Sequence, residues 1–260
     1  ARLGARLLNR TTRRVSPTEI GLAYYDKAHR VLNDAGEADA MVTSMQAAPS
    51  GSLRLSAATD FGVNHISNAL GAFLHQYPEI NVNLVLNNRY VELISEGFDL
   101  AIRVGELEDS TLRARKLTET NMKMVGSPEY FARNGKPKRI DDLNEHMLLH
   151  YSNQASGNVW KLTSPTGEQR QIRTMGCLTV NDGQSLLTAA SAGLGIAYLP
   201  SFLYHEKLEL GLLEEAIPEL PIERRGIYAV YPPGRYTQPK LRAFIDFLVD
   251  HFKNKGPEEW

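Results

Sequence analysis

From Ser52 onward the hydrophobic pattern of this chain switches repeatedly between a period of two and a period near that of a helix, and this alternation leaves few folds open. Leu53, Leu55 and Ala57 alternate as one face of a strand. Ile66, Ala69, Leu70 and Phe73 then recur at helical spacing as far as Tyr77, where Pro78 stops the helix. Ile80, Val82, Leu84 and Leu86 alternate again. The pattern next predicts a short helix through Val91 and Ile94 closed by Gly97, and a third strand over residues 98–104. Strand, helix, strand, helix, strand in succession requires right-handed crossovers and a mainly parallel sheet.

A second unit of the same kind starts near Lys116. Residues 122–125 are apolar enough for a strand, and Ser127-Pro128-Glu129 opens a helix with a cap followed by proline. Residues 160–172 read as a hairpin turned by Pro165-Thr166-Gly167. A strand over 178–180 runs into Asn181-Asp182-Gly183, a helix start, and that helix passes through Leu186, Leu187 and Ala190 to stop at Gly193. Residues 194–200 form a buried strand and 226–231 a last one. The final helix, 239–252, sets Leu241, Phe244, Ile245, Leu248 and Phe252 on one face.

The first fifty residues obey other rules. Ala1 to Leu3 read as the last turn of a helix closed by Gly4, and a chain that opens in mid-pattern without methionine is expected to be a processed or trimmed product. Arg2, Arg6, Arg10, Arg13 and Arg14 all precede the first carboxylate, Glu19, on a chain whose formal net charge is -1. A basic head on a neutral body fits an anionic partner bound at one end, although charge alone fits a solvated terminus equally well. Residues 7–15 have apolar ends around a cationic middle, the pattern of a hairpin with arginines at its tip. Ser16, Pro17 and Glu19 spell a capping box. Beyond it Tyr24, Ala28, Val31, Ala35, Ala38, Val42 and Met45 alternate in steps of four and three, a seam for packing against a partner helix or against the chain's own domain. Pro49-Ser50-Gly51 ends the helix in a hinge.

Several classes of function are disfavoured. With 42% hydrophobic and 23% charged residues the composition is that of a globular domain, and no apolar run or leader marks a membrane span or signal peptide. The single cysteine, Cys177, has no partner in the chain, which suits a reducing, cytoplasmic compartment. His29, His65, His75, His146, His150, His205 and His251 are scattered, without metal-ligand spacing beside a cysteine or acid. There is no nucleophile elbow and no glycine-rich phosphate loop. Neither enzyme, metal nor cofactor is expected. A periplasmic-type solute-binding protein shares the two-unit body, but the cationic hairpin and the seam argue against it.

Four stretches together carry a resemblance. Leu7-Leu8-Asn9-Arg10-Thr11-Thr12-Arg13-Arg14-Val15-Ser16-Pro17-Thr18-Glu19-Ile20-Gly21 resembles the wing and linker-helix start of LysR-type transcriptional regulators. Gly51-Ser52-Leu53-Arg54-Leu55-Ser56 resembles the opening strand of that family's effector domain. Glu96-Gly97-Phe98-Asp99-Leu100-Ala101-Ile102-Arg103-Val104-Gly105 is similar to its third strand, and Ala192-Gly193-Leu194-Gly195-Ile196-Ala197-Tyr198-Leu199-Pro200 to a late core strand. The resemblance implies an α/β fold with two Rossmann-like subdomains, like a small periplasmic binding protein. These follow a remnant of a winged helix-turn-helix (1–15) and a linker or dimerisation helix (16–50). The effector domain is then 51–256, with 51–115 and 225–256 in one subdomain and 116–224 in the other. The implied function is a DNA-binding regulator whose partners are operator DNA, a small-molecule effector and further copies of itself as dimer or tetramer, with RNA polymerase as a further candidate.

Candidate residues follow from these assignments. Arg6, Asn9, Arg10, Thr11, Thr12, Arg13 and Arg14 would meet DNA, the arginines neutralising phosphates or entering a narrow minor groove and the polar side chains donating to phosphate oxygens. Ligands of open α/β sheets sit beyond the carboxyl ends of the strands. That rule selects Thr59, Asp60, Phe61, Asn87, Asn88, Arg103, Val104, Gly105, Asn153, Asn181, Asp182 and Pro200 for an effector. Arg103 offers a bidentate partner to a carboxylate, unless Asp99, four residues earlier, claims it for an ion pair. Asp60 is a departure, because its charge repels an anion or selects an amine. Trp160 either closes the cleft or packs in a core.

Overall fold

In the computed structural model, which describes residues 5–10, 15–18, 20–21, 24–25, 28, 48–107, 110–154, 156–174 and 176–257, the chain begins with an antiparallel hairpin. Its strands are β1 (Leu8–Arg10) and β2 (Val15–Pro17), with Asn9 opposite Ser16. The tip of the hairpin at 11–14 and the seam from Val31 to Met45 lie outside the described residues. The start of the following helix differs from expectation. Ser16 is engaged in β2, and the cap is Thr18, whose Oγ1 accepts the Gly21 N–H at 2.9 Å. The Thr18 N–H donates to Leu7 O at 3.0 Å and its hydroxyl to Arg6 O at 2.8 Å, so the cap also clasps hairpin to helix. Only glycine fits at position 21, since a Cβ there would stand 1.9 Å from Leu7 O.

The body opens with β3 (Gly51–Ala57), followed by a short turn α1 (Thr59–Phe61), a π-helical turn (Gly62–Ile66) and α2 (Ser67–Gln76). Then come β4 (Ile80–Leu86) and β5 (Leu100–Val104), both parallel to β3. The expected helix through Val91 and Ile94 is a turn instead. Val91 and Leu93 are buried while Ile94 is 71% exposed, so the apolar side chains do not share a helical face. An ion pair between Arg89 and Glu96 spans that turn, and Gly97 closes it at φ 72°.

The longest strand, β6 (Arg113–Gly126), leads into α3 (Pro128–Asn134), where Ser127 Oγ accepts the Tyr130 N–H as the sequence predicts. Next are β7 (His150–Tyr151), the hairpin β8 (Val159–Thr163) and β9 (Gln169–Arg173), and β10 (Thr179–Val180). They are followed by α4 (Gly183–Ser191), β11 (Ala197–Pro200), α5 (Ser201–Glu209), β12 (Glu214–Glu215), β13 (Glu223–Tyr231) and α6 (Pro239–Phe252). A seven-stranded sheet runs β11-β6-β13-β5-β3-β4, with β12 also on β6. Within it the pairings of β3 with β4 and with β5 are parallel, while β13 pairs antiparallel with β5 and β6, and β11 and β12 antiparallel with β6. The sheet is therefore mixed, not mainly parallel, because two long strands carry the chain from one half to the other and back.

Separate cores on either side of that crossing define two lobes. In the first, Leu53, Leu55, Phe73, Phe244, Ile245 and Leu248 pack the sheet against α2 and α6. In the second, Trp160, Ile172, Met124 and Ile196 fill one face of the sheet, and Leu186, Leu187, Leu199 and Leu203 the other. Trp160 is 1% exposed and rests against Tyr198, so it packs a core and does not close a cleft. No helix among the described residues is long and apolar enough to cross a membrane.

The lobes are also stitched beside the crossing strands. Thr120 on β6 and Ser201 at the start of α5 are both buried, with hydroxyls 2.9 Å apart. The Ser201 N–H donates to Thr120 Oγ1 at 3.1 Å, and the Ser201 hydroxyl donates to Pro257 O at 2.8 Å. Thr118 Oγ1 donates to Lys255 O at 3.0 Å, which ties the tail after α6 to the same strand. Thr120→Val keeps the shape but leaves the buried Ser201 N–H without its acceptor, at a cost of about 1–3 kcal/mol. Urea unfolding is expected to show that loss; an unchanged midpoint would mean that the hydroxyl contributes nothing.

Candidate functional site

The carboxyl ends of β3, β4 and β5 in the first lobe face the start of α4 and the segment after β7 in the second. Asn88, just past β4, is the centre of that meeting. Its Oδ1 accepts the Thr59 N–H at 2.8 Å, its Nδ2 donates to Asn181 O at 2.9 Å, and its own carbonyl accepts from Asn153 Nδ2 at 2.9 Å. One amide side chain thus satisfies a backbone group in its own lobe and reaches across to the other. Asn87 extends the strand pairing, with its N–H on Ala57 O at 3.0 Å.

Asp60 makes a second crossing. Its Oδ2 accepts the Gly183 N–H at 3.1 Å, at the start of α4, where backbone donors are otherwise free. Asp182 caps the same helix by accepting from the Ser185 N–H at 2.8 Å. Burial, with the Asp182 charge adding to it, pushes the Asp60 carboxyl up to about 6, although the Gly183 and Gln184 N–H groups pull the other way. Tyr151 lies near both carboxylates; burial pushes its phenol up, and their charges add to that.

Arg103, near the end of β5, does not pair with Asp99. Asp99 is taken by Arg235 at 2.9 Å and by the Arg54 N–H at 2.9 Å. The half-buried Arg103 guanidinium donates to Ser56 Oγ at 3.3 Å and lies 5.9 Å from the centre of the Tyr90 ring, with no carboxylate in ion-pair range among the described residues. Burial lowers its pKa, yet a guanidinium keeps its charge.

The other candidates divide. Thr59, Asp60, Asn88, Asn153, Asn181 and Asp182 come together across the cleft, with Arg103 on the first lobe. Phe61 does not join them: it is fully buried in the first core against Phe202 and Phe252, because the residue after Asp60 turns inward on α1. Val104 packs against that core, and Gly105, at φ 116°, donates to Gly226 O at 2.9 Å. Pro200 ends β11 and precedes α5, half-buried. Ser56, Tyr90 and Gly183 were not singled out in the sequence. They matter because they neighbour Arg103 or Asp60 in space and not in pattern. At the other end of the chain Arg6 is exposed and Asn9 and Arg10 lie on β1, while Thr11, Thr12, Arg13 and Arg14 fall outside the described residues. A cavity of about 190 Å³ opens elsewhere, in the second lobe, beside Met122, Met124, Leu162 and Tyr198. No group of three His, Cys, Asp or Glu among the described residues is arranged to hold a metal ion.

Comparison with known proteins gives the family and agrees with the fold. The family described as the LysR substrate binding domain matches residues 46–253. A Haemophilus influenzae protein named as an uncharacterized HTH-type transcriptional regulator is 37% identical over 239 residues, covering 92% of this chain and 83% of that one. The HTH-type transcriptional regulator CrgA of Neisseria meningitidis is 33% identical over 254 residues, covering 97% and 84%. A structure of CrgA, at 31% identity, superposes with a TM-score of 0.71 over 97% of this chain and 86% of that one. The full-length virulence activator AphB of Vibrio cholerae, at 30% identity, gives 0.69 over 96% and 85%. With its cationic hairpin, its two lobes and these relatives, the chain belongs to the LysR-type transcriptional regulators.

Proposed function

We propose that the cleft holds a small anionic effector, a carboxylate before other anions, and that its occupancy governs how the chain acts on DNA. The observation that carries this reading is Arg103, a half-buried guanidinium with a hydroxyl and a ring beside it and no carboxylate partner among the described residues. A planar guanidinium binds a carboxylate through two parallel bonds, which gives orientation as well as attraction. Thr59, Asn88, Asn153, Asn181 and Asp182 supply the neutral donors, acceptors and remaining charge that would position the rest of the molecule. The working division is 51–115 with 225–256 against 116–224, and the working setting is a non-enzymatic receptor in the cytoplasm that self-associates through 16–50.

A thermal-shift titration with benzoate, succinate and acetate tests the anion. A carboxylate at 100 times its dissociation constant is expected to stabilise the fold by about 2.7 kcal/mol. Arg103→Ala is expected to weaken the best of the three by about 1.5–3 kcal/mol, the value of a hydrogen bond to a charged group. Affinity unchanged by that substitution would remove Arg103 from the site.

The hairpin is assigned to phosphate contacts, made by Arg6, Asn9, Arg10, Thr11, Thr12, Arg13 and Arg14, which position without reading bases. Replacing Arg6 and Arg10 by glutamine is expected to flatten the salt dependence of DNA affinity by about 0.9 in log–log slope per lost phosphate contact. Fluorescence anisotropy on a labelled duplex at several salt concentrations measures the slope, and one identical to the parent's would take these arginines off the DNA.

A further inference from the structure

A helix N-terminus is where a receptor of this build offers backbone donors to an anion. At α4 those donors are already in use, by the chain itself. Asp60 belongs to the first lobe, one residue into α1, and its acceptor atom lies 3.1 Å from the N–H of Gly183 in the second, 123 positions along the sequence. The Gln184 N–H also faces the carboxylate. The approach is close: a Cβ at position 183 would stand 2.6 Å from Asp60 Oδ2 and 2.6 Å from Leu203 Cδ1, so any larger residue there would have to push the Asp60 carboxylate or the Leu203 side chain aside. The neutral bonds of Asn88 to Asn181 and of Asn153 to Asn88 run alongside.

We propose that Asp60 is a built-in latch, a carboxylate of one lobe seated on the helix start of the other, so that the cleft shuts on the chain's own anion and an incoming effector must break that contact to enter. The latch is held under electrostatic load. Among the described residues neither Asp60 nor Asp182 has a basic partner in ion-pair range, and the titratable groups that face Asp60 are Asp182, at the start of α4, and Tyr151 on β7. Two carboxylates of like sign meet there, Asp60 on the Gly183 and Gln184 N–H groups and Asp182 on the Ser185 N–H and hydroxyl, with no cation between them among the described residues. The load has a sign. Seating raises the Asp60 pKa from an ordinary 3.8 to about 6, so the shut state holds the proton more tightly than an opened state in which the carboxyl is in water. Acidification through that window favours shutting, because the neutral acid still accepts the Gly183 N–H through its carbonyl oxygen while shedding the repulsion from Asp182. Above the window the ionised latch remains seated but is the easier one to release.

Amide hydrogen exchange at Gly183 and Gln184, read on the whole chain without effector, tests the latch separately from the anion assigned to Arg103. Asp60→Gly removes the acceptor and is expected to lower protection of those two amides by about tenfold or more. Sodium acetate, compared with sodium chloride at equal ionic strength, is expected to restore protection in Asp60→Gly by refilling the vacated place, and never to raise it in the parent, where that place is already taken. Asp60→Asn keeps an acceptor oxygen without the charge. It is expected to keep protection and to lose the extra protection that the parent gains between about pH 7 and pH 5, once intrinsic rates are divided out. The latch is overturned if Asp60→Gly exchanges like the parent, if acetate acts no differently from chloride, or if Asp60→Asn keeps the parent's pH response.

Discussion

Both sides of the cleft hang on the antiparallel pairing of β6 with β13. That ladder runs from Glu223 opposite Met122 in the second lobe to Tyr231 opposite Arg113 in the first, with a register shift between Ile227 and Tyr228. Two hydrogen-bonded strands resist stretching and sliding, since either would break a row of backbone bonds, but they bend and twist readily. Such a ladder favours tilting of the lobes over sliding. The hydroxyl pair of Thr120 and Ser201, and the tail carbonyls of Lys255 and Pro257, hold the same region from outside the sheet. A cleft built on such a ladder keeps its walls in register if the lobes tilt, which a switch that answers to a small molecule requires.

Within the cleft, charge decides more than shape. The second-lobe cavity is bounded by Met122, Met124, Leu162 and Tyr198, and its acidic groups are already answered: Lys123 pairs with Glu215 at 2.7 Å, and Tyr198 donates to Glu223 at 2.7 Å. The cleft is different. Arg103 has charge to spare at the edge of the first lobe, while Asp60 and Asp182 bring like charges to one helix start. On the reading proposed for the cleft, an anion and a proton are the two species that would relieve this arrangement, one at each end.

Much of the frame was legible in the sequence because its elements carry strong periodic signals. β4 and α6 follow their apolar residues to the terminal positions, and the caps at Ser127 and Asp182 form the bonds that their spacing predicts. The sheet order was not legible. The first four residues of β6, Arg113 through Lys116, are exposed and mostly cationic, so no hydrophobic alternation announces them, and the strand order of the crossing depends on long-range pairing. Ser16 lost its capping role to strand pairing with Asn9, and Thr18 took it over. In the cleft the rule that ligand residues follow the strand ends selected Thr59, Asp60, Asn88 and Arg103, which the structure sets around the cleft. It also brought in Phe61, which the turn of α1 sends into the core, and it passed over Ser56 and Tyr90, whose relevance comes from lying next to Arg103.

The central claim is that the cleft between the lobes, and not the cavity beside Met122, receives an anion. A structure determined with a bound carboxylate tests it most directly. The carboxylate is predicted to lie within about 3 Å of the Arg103 guanidinium, the reach of a charge-assisted hydrogen bond. Density for the ligand in the second-lobe cavity, with Arg103 still on Ser56 alone, would contradict the account.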